Sequence, residues 1–108
     1  MPTYNLMILT PEGKAYESDV SSIVAPGLEG FFGVLAHHTP MIAAVRLGIL
    51  TVREENGTFF FVLGEGILEV SSEGVSILAD TAERADTEDA AKIRAKEIAT
   101  ELASTSAA

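Results

Sequence analysis

The chain has 108 residues and a formal net charge of −9, from seven basic and sixteen acidic side chains. That length suits one domain with an appendage, and the charge repels phosphate backbones and anionic lipid surfaces, so nucleic-acid binding is disfavoured. With no cysteine there is no disulfide and no thiolate metal site, and an aliphatic and aromatic content of 47% is that of a folding chain. No apolar run reaches the roughly 20 residues of a membrane span, and the N-terminus lacks a signal-peptide pattern, so a soluble intracellular protein is expected.

In chain order, the first β-type run is Tyr4 to Leu9, closed by Thr10-Pro11-Glu12-Gly13. Lys14 to Glu17 and Val20 to Pro26 follow, and Pro26-Gly27 ends the second of these. From Gly48 to Ala79 the sequence reads as a meander. Asn56-Gly57, the dipeptide that type I′ turns favour, joins Ile49–Arg53 to Thr58–Leu63. Gly64-Glu65-Gly66 and Ser72-Glu73-Gly74 make the next reversals, so Ile67–Ser71 and Val75–Ala79 are expected to pair in sequence. Leu68 and Val70 alternate with Glu69 and Ser71, which gives one buried and one wet face and leads to a two-layer sandwich. Thr58–Leu63 breaks the alternation with apolar residues on both faces, as expected of a strand central to the core or of one that also meets a partner.

At Asp86 the pattern changes. Asp86 or Thr87 caps a helix, Glu88 and Asp89 suit its positive end, and Ala-rich sequence continues to Leu102. A helix of about 16 residues spans roughly 24 Å. Ala91, Ala95, Ile98 and Leu102 form one narrow docking stripe, Ile93 points to the opposite side, and Ala103 to Ala108 reads as a frayed end. The division is a β-domain over residues 1–85 and a helix with its tail over 86–108.

Catalytic chemistry finds little support. His37 and His38 are adjacent, so on a strand they face opposite ways, and the next carboxylate is only at Glu54. No metal site is expected; His37 reads as solvated and His38 as a surface or interface residue. Ser18, Ser21, Ser22, Ser71 and Ser72 lack a nucleophile elbow. Gly64-x-Gly66 lacks the third glycine and following helix of a dinucleotide loop, and Glu54-Glu55 is a hairpin tip. No cofactor is expected, and the chain reads as a docking module and not an enzyme.

Two stretches together carry a resemblance: Gly27-Leu28-Glu29-Gly30-Phe31-Phe32-Gly33-Val34-Leu35-Ala36-His37-His38-Thr39-Pro40-Met41-Ile42, and Gly64-Glu65-Gly66-Ile67-Leu68-Glu69-Val70 followed by Val75 to Arg84. They resemble the epsilon subunit of rotary ATP synthases, from about Tyr4 into the helix. The resemblance implies a mostly β fold, a ten-stranded β-sandwich followed here by a single short C-terminal helix. It implies a non-catalytic central-stalk subunit that docks on the gamma subunit and the membrane ring of c subunits, with membrane association only through the complex. The implied place is the cytoplasmic face of a bacterial inner membrane, with the chloroplast stromal side as the other option. By position, Glu29, Gly30, Phe31, Phe32 and His38 match the family's partner interface, while Gly30, Gly33 and Pro40 also shape its loop. Several members have an acid at the position of Phe31, so Phe31 is expected to pack on apolar surface or to turn inward. ATP-binding members carry an acid, two residues, then Arg-Ala; here Lys92 stands three positions after Asp89, and Arg94-Ala95 lies further on. Weak or absent ATP binding and self-inhibition are therefore expected. The alternatives are a free-standing ligand-binding sandwich and a metal-dependent β-barrel enzyme.

Overall fold

The computed structural model describes residues 2–106 and contains ten strands and one helix. The strands are β1 (Tyr4–Thr10), β2 (Gly13–Val20), β3 (Ser22–Gly27), β4 (Gly30–Leu35), β5 (Met41–Val45), β6 (Gly48–Glu54), β7 (Gly57–Leu63), β8 (Gly66–Ser71), β9 (Gly74–Ala79) and β10 (Ala82–Ala85); α1 spans Glu88–Ser106. They form one continuous, nearly closed sheet in the order β10-β7-β6-β3-β5-β8-β9-β1-β2, with β4 paired to β3. Strand β3 turns the corner between the two layers: Ser22 to Val24 pair with β6, and Gly27 pairs with Val45 of β5. The β1–β9 pairing is parallel and joins the first strand to the ninth.

Four reversals share one construction. Thr10 pairs with Gly13, Gly27 with Gly30, Glu54 with Gly57 and Ser71 with Gly74, each across a two-residue loop. The closing glycines have φ of 123°, 130°, 151° and 139°, a region that side chains rarely tolerate. This corrects the turn expected at Asn56-Gly57. The hairpin forms, but its loop is Glu55-Asn56, and among described non-glycine residues only His37 has positive φ. A type I′ turn requires positive φ at both central residues, so this turn is of another kind.

Alternation along the strands fills the interior with Leu6, Ile8, Val20, Ile23, Leu50, Val52, Leu68 and Ile77, all buried. Among the described residues no polar or charged one is buried, so the packing rests on apolar surface. Phe59, Phe61 and Leu63 of β7 belong to the same core. Tyr16 of β2 meets the Phe59 and Phe61 rings edge-on at 5.6 and 5.4 Å, and its hydroxyl donates to Glu54 Oε2, which draws the edge strand β2 over β6 and β7. Val62, on the other face of β7, is equally buried, and α1 packs against β7, β10 and β6. The second apolar face of β7 is therefore covered by the chain's own helix and not held open for a partner.

The helix is longer than its sequence suggests. It runs 19 residues to Ser106, so Ala103 to Ser106 are helical and not frayed, while Ala107 and Ala108 lie outside the described residues. Beyond Leu102 the sequence is Ala103-Ser104-Thr105-Ser106; no glycine or proline interrupts it, so the helix set up by the alanine- and glutamate-rich turns before it continues to Ser106. Thr87 caps its start, its Oγ1 accepting the Ala90 N–H at 3.1 Å.

Candidate functional site

The β3–β4 hairpin places the first group of residues. Leu28 and Glu29 form the two-residue tip between Gly27 and Gly30. The segment after the tip is not a loop but the strand β4, and strand alternation splits the two phenylalanines. Phe32 turns inward, half-buried against the core, with its ring where a Cβ on Gly27 would lie. Phe31 turns outward and is 61% exposed. Of the two fates expected for Phe31, the inward turn is taken by Phe32. The Arg46 guanidinium stands over the Phe31 ring at 5.9 Å, held there because Arg46 N–H donates to the Pro26 carbonyl at 2.9 Å. Beside them Met41, Ile42 and Ala44 of β5 and the hairpin enclose an open groove of about 700 Å³.

His38 lies beyond the other end of β4. His37 adopts a left-handed φ of 66° in the turn, and His38 N–H donates to the Leu35 carbonyl at 3.3 Å. The His38 Nδ1 is 2.7 Å from the Thr39 carbonyl oxygen, which only accepts, so the proton sits on Nδ1. A six-residue strand is roughly 20 Å long, so Glu29 and His38 mark opposite ends of β4 and do not meet. Among the described residues no three His, Asp or Glu side chains are grouped to hold a metal ion.

A second surface was not singled out in the sequence. On the outer face of the layer formed by β5, β8, β9 and β1, cross-strand register places Ala44 beside Ile67, Ile67 beside Leu78, and Leu78 beside Leu9. Ile67 and Leu78 are 51% and 55% exposed, and Ile42 one step along β5 is more so. The signal was present: if Leu68 and Val70 point inward, Ile67 must point out. These side chains form a contiguous apolar row on an outer sheet face.

Along α1 the contact fades with distance from the sheet. Ala91 is fully buried, Ala95 and Ile98 are half-buried, and Leu102 and Ile93 are exposed. Sequence reasoning missed Arg94, which reaches back to β10. Its Nε donates to Glu83 Oε1 at 2.9 Å and its Nη2 to Oε2 at 3.1 Å, while Nη1 lies 3.4 Å from Glu97 and 3.5 Å from Glu101. The hydrogen bonds from Arg94 hold the Glu83 carboxyl below the ordinary carboxylate range, and the same partner raises the guanidinium. Burial pushes the Tyr4 phenol up to about 12, against a backbone hydrogen bond from Ile23; its hydroxyl donates to the Val34 carbonyl at 2.6 Å. Burial, then the hydrogen bond to Glu54, raises Tyr16.

Comparison with known proteins fits this geometry. Residues 3–85 match the family described as ATP synthase, Delta/Epsilon chain, beta-sandwich domain. The ATP synthase epsilon chain of Pelotomaculum thermopropionicum is 43% identical over 93 residues, covering 86% of this chain and 69% of the relative. The epsilon chain of Rhodopseudomonas palustris is 43% identical over 82 residues, covering 76% of this chain and 61% of the relative. The chain thus spans about two thirds of the length of these relatives. Among solved structures, a chain of the Euglena gracilis mitochondrial ATP synthase OSCP/F1/c-ring assembly superposes with a TM-score of 0.71 at 27% identity, over 78% of this chain and 55% of that one. A chain of the Tetrahymena thermophila mitochondrial ATP synthase central stalk and c-ring shares the fold, with a TM-score of 0.65 at 17% identity over 76% of this chain and 66% of that one. On the match over residues 3–85 and these identities, the chain belongs to the ATP synthase delta/epsilon family.

Proposed function

We propose that this chain is a non-catalytic central-stalk subunit of a proton- or sodium-translocating ATP synthase, docking on the gamma subunit and the membrane ring to couple ring rotation to ATP synthesis. The observation that carries the reading is the apolar row Ala44, Ile67, Leu78 and Leu9 on the outer sheet face, paired strand by strand, with Ile67 and Leu78 exposed at its centre and Leu9 partly so. In this reading the row meets gamma, and the hairpin end with Glu29, Gly30, Phe31 and Phe32 meets the polar loops of the ring, with His38 at the far end of β4 on the stalk side. A close-packed sheet suits the role, because its low compressibility passes torque on without deforming.

The same reading puts the chain on the cytoplasmic face of the membrane, held there by the complex; no described helix is long and apolar enough to cross a bilayer. Weak or absent nucleotide binding and inhibition belong to it too. Its support is that Arg94 is engaged by Glu83, that Ala91 is buried, and that α1 packs on the sheet.

The test is reconstitution. Membrane vesicles whose ATP synthase has been stripped of its own epsilon subunit should regain ATP-driven ion pumping when this chain is added. Glu29→Ala and His38→Ala should lower pumping per ATP hydrolysed while leaving thermal melts within about 0.5 kcal/mol of the parent, as exposed substitutions do. Hydrolysis without any return of pumping would sink the assignment.

A further inference from the structure

Three strands have a partner along one edge only: β2, β10 and β4. Such an edge presents unpaired N–H and C=O groups to any extended chain, and proteins blunt it with charge, brevity or cover. Strand β2 carries Lys14, Glu17 and Asp19. Strand β10 is four residues long and α1 packs against it. Strand β4, Gly30-Phe31-Phe32-Gly33-Val34-Leu35, has six residues without a charge or a proline.

The direction of its free groups follows from the ladder. The Pro26 carbonyl accepts from Arg46 N–H, so Pro26 faces away from β4. Phe31 pairs with Pro26, and in an antiparallel ladder it must then turn its own N–H and C=O away from β3, as must Gly33 two residues on. The Leu35 carbonyl is already taken by His38. Phe31 and Gly33 thus leave four backbone groups facing outward. Phe31 and Leu35, 61% and 66% exposed, stand on one face of this edge, and Gly33 between them carries no side chain, a Cβ there meeting only the Ile23 carbonyl at 3.7 Å. Glu29 sits at the hairpin end, Arg46 lies against Phe31, and the chain as a whole carries −9.

We infer that β4 is a pairing edge that takes up an extended segment of a partner protein, apolar at alternate positions and carrying a basic side chain at the end that meets Glu29. Main-chain hydrogen bonds supply the attachment, and the bare position at Gly33 together with Glu29 sets register and direction. A second copy of this chain is not the occupant, because two chains of −9 would bring Glu29 and its neighbours against like charge. This inference rests on the reading that the hairpin end with Glu29 and Phe31 meets a partner, and replaces a loop contact there by a paired extended segment; it does not depend on which stalk subunit the outer sheet face meets.

The test uses the whole chain, isotopically labelled, and a capped eight-residue peptide alternating valine and threonine with lysine at both ends. Amide exchange read by nuclear magnetic resonance should slow at least tenfold at Phe31 and Gly33 at saturating peptide, with β2 and β10 unchanged. The same peptide N-methylated at alternate amides should give no slowing, and a glutamate-ended version should bind at least tenfold more weakly. Gly33→Pro removes one outward N–H at a position where a Cβ meets only the Ile23 carbonyl, at 3.7 Å. It should melt as the parent does and lose the protection; if it does not fold, the N-methylated peptide on the parent chain decides. Unslowed exchange at Phe31 and Gly33, equal binding of the N-methylated or acidic peptide, or self-association of the chain through β4 in sedimentation would each overturn the inference.

Discussion

Arg94 of α1 grips Glu83 of β10 through two parallel hydrogen bonds, at 2.9 and 3.1 Å, and so fastens the helix to the sheet eleven residues upstream. Both side chains stay partly open to water, 38% and 44% exposed, so the pair sets the helix's position more than it adds to global stability. Arg94→Ala should therefore speed amide exchange along α1 several-fold while the β-strand amides keep their protection. The pH dependence has a definite sign. Because the folded Glu83 carboxyl lies below its ordinary range, its contribution is present above the unfolded pKa of about 4.3 and is lost as pH falls through the folded value. Protection of the helix amides relative to their intrinsic exchange rate should fall in the parent at such pH, and in Glu83→Gln it should already be lowered at neutral pH and stay flat.

Ala91 is the one fully buried side chain among the described residues of α1. The helix packs against β7, β10 and β6, so a longer side chain at this buried position must displace its neighbours. Ala91→Leu should destabilise helix docking by about 1–3 kcal/mol through overpacking, read as a loss of α1 protection with a smaller change in the main melting transition. Ile93→Ala, on the exposed side, should change neither by more than about 0.5 kcal/mol.

The chain has two tyrosines and no tryptophan, so phenolate absorbance reports both phenols without interference. Burial raises each of them, Tyr4 to about 12, above the unfolded value of about 10. The native state therefore holds more protons than the unfolded state in alkali, and stability falls as pH rises from about 10 to about 12. Phenolate absorbance should appear together with loss of β-sheet signal and not before it. Tyr4→Phe, which removes the hydrogen bond to Val34, should cost about 0.5–1.5 kcal/mol at neutral pH and weaken the alkaline dependence.

Two glycines of the β3–β4 hairpin separate backbone strain from packing. A Cβ at Gly30 meets nothing within 4 Å, yet its φ is 130°; Gly33 has no such φ, and a Cβ there makes ordinary contact. Gly30→Ala should destabilise by about 1–3 kcal/mol, and Gly33→Ala should be neutral or slightly stabilising, by denaturant titration.

Much of this fold was legible in residue order. The reversals at Gly13, Gly57 and Gly74 could be read because each needs a glycine after a short polar loop, and β8 could be read from the alternation of Leu68 and Val70 with Glu69 and Ser71. Strand β4 could not, because its two glycines and paired phenylalanines obscure any period of two, and Phe31 and Phe32 separate only once the Pro26 pairing is known. The helix start at Thr87 was local and visible, whereas the Arg94–Glu83 clamp depends on how α1 crosses β10, which no spacing along the chain encodes. The row Ala44, Ile67, Leu78 and Leu9 is drawn from four strands and exists only through their register.

The most direct test of the docking account is binding of the purified chain to purified gamma subunit, by calorimetry, for the parent and for the double substitution Ile67→Asp with Leu78→Asp. Both residues lie on the outer face and directly opposite each other, so the paired aspartates repel and the variant should lose about 1–2 kcal/mol while keeping its fold, which a thermal melt checks. The account predicts that the parent binds and that the variant binds at least a hundredfold more weakly. Equal affinity of the two, or no binding of the parent, would contradict it.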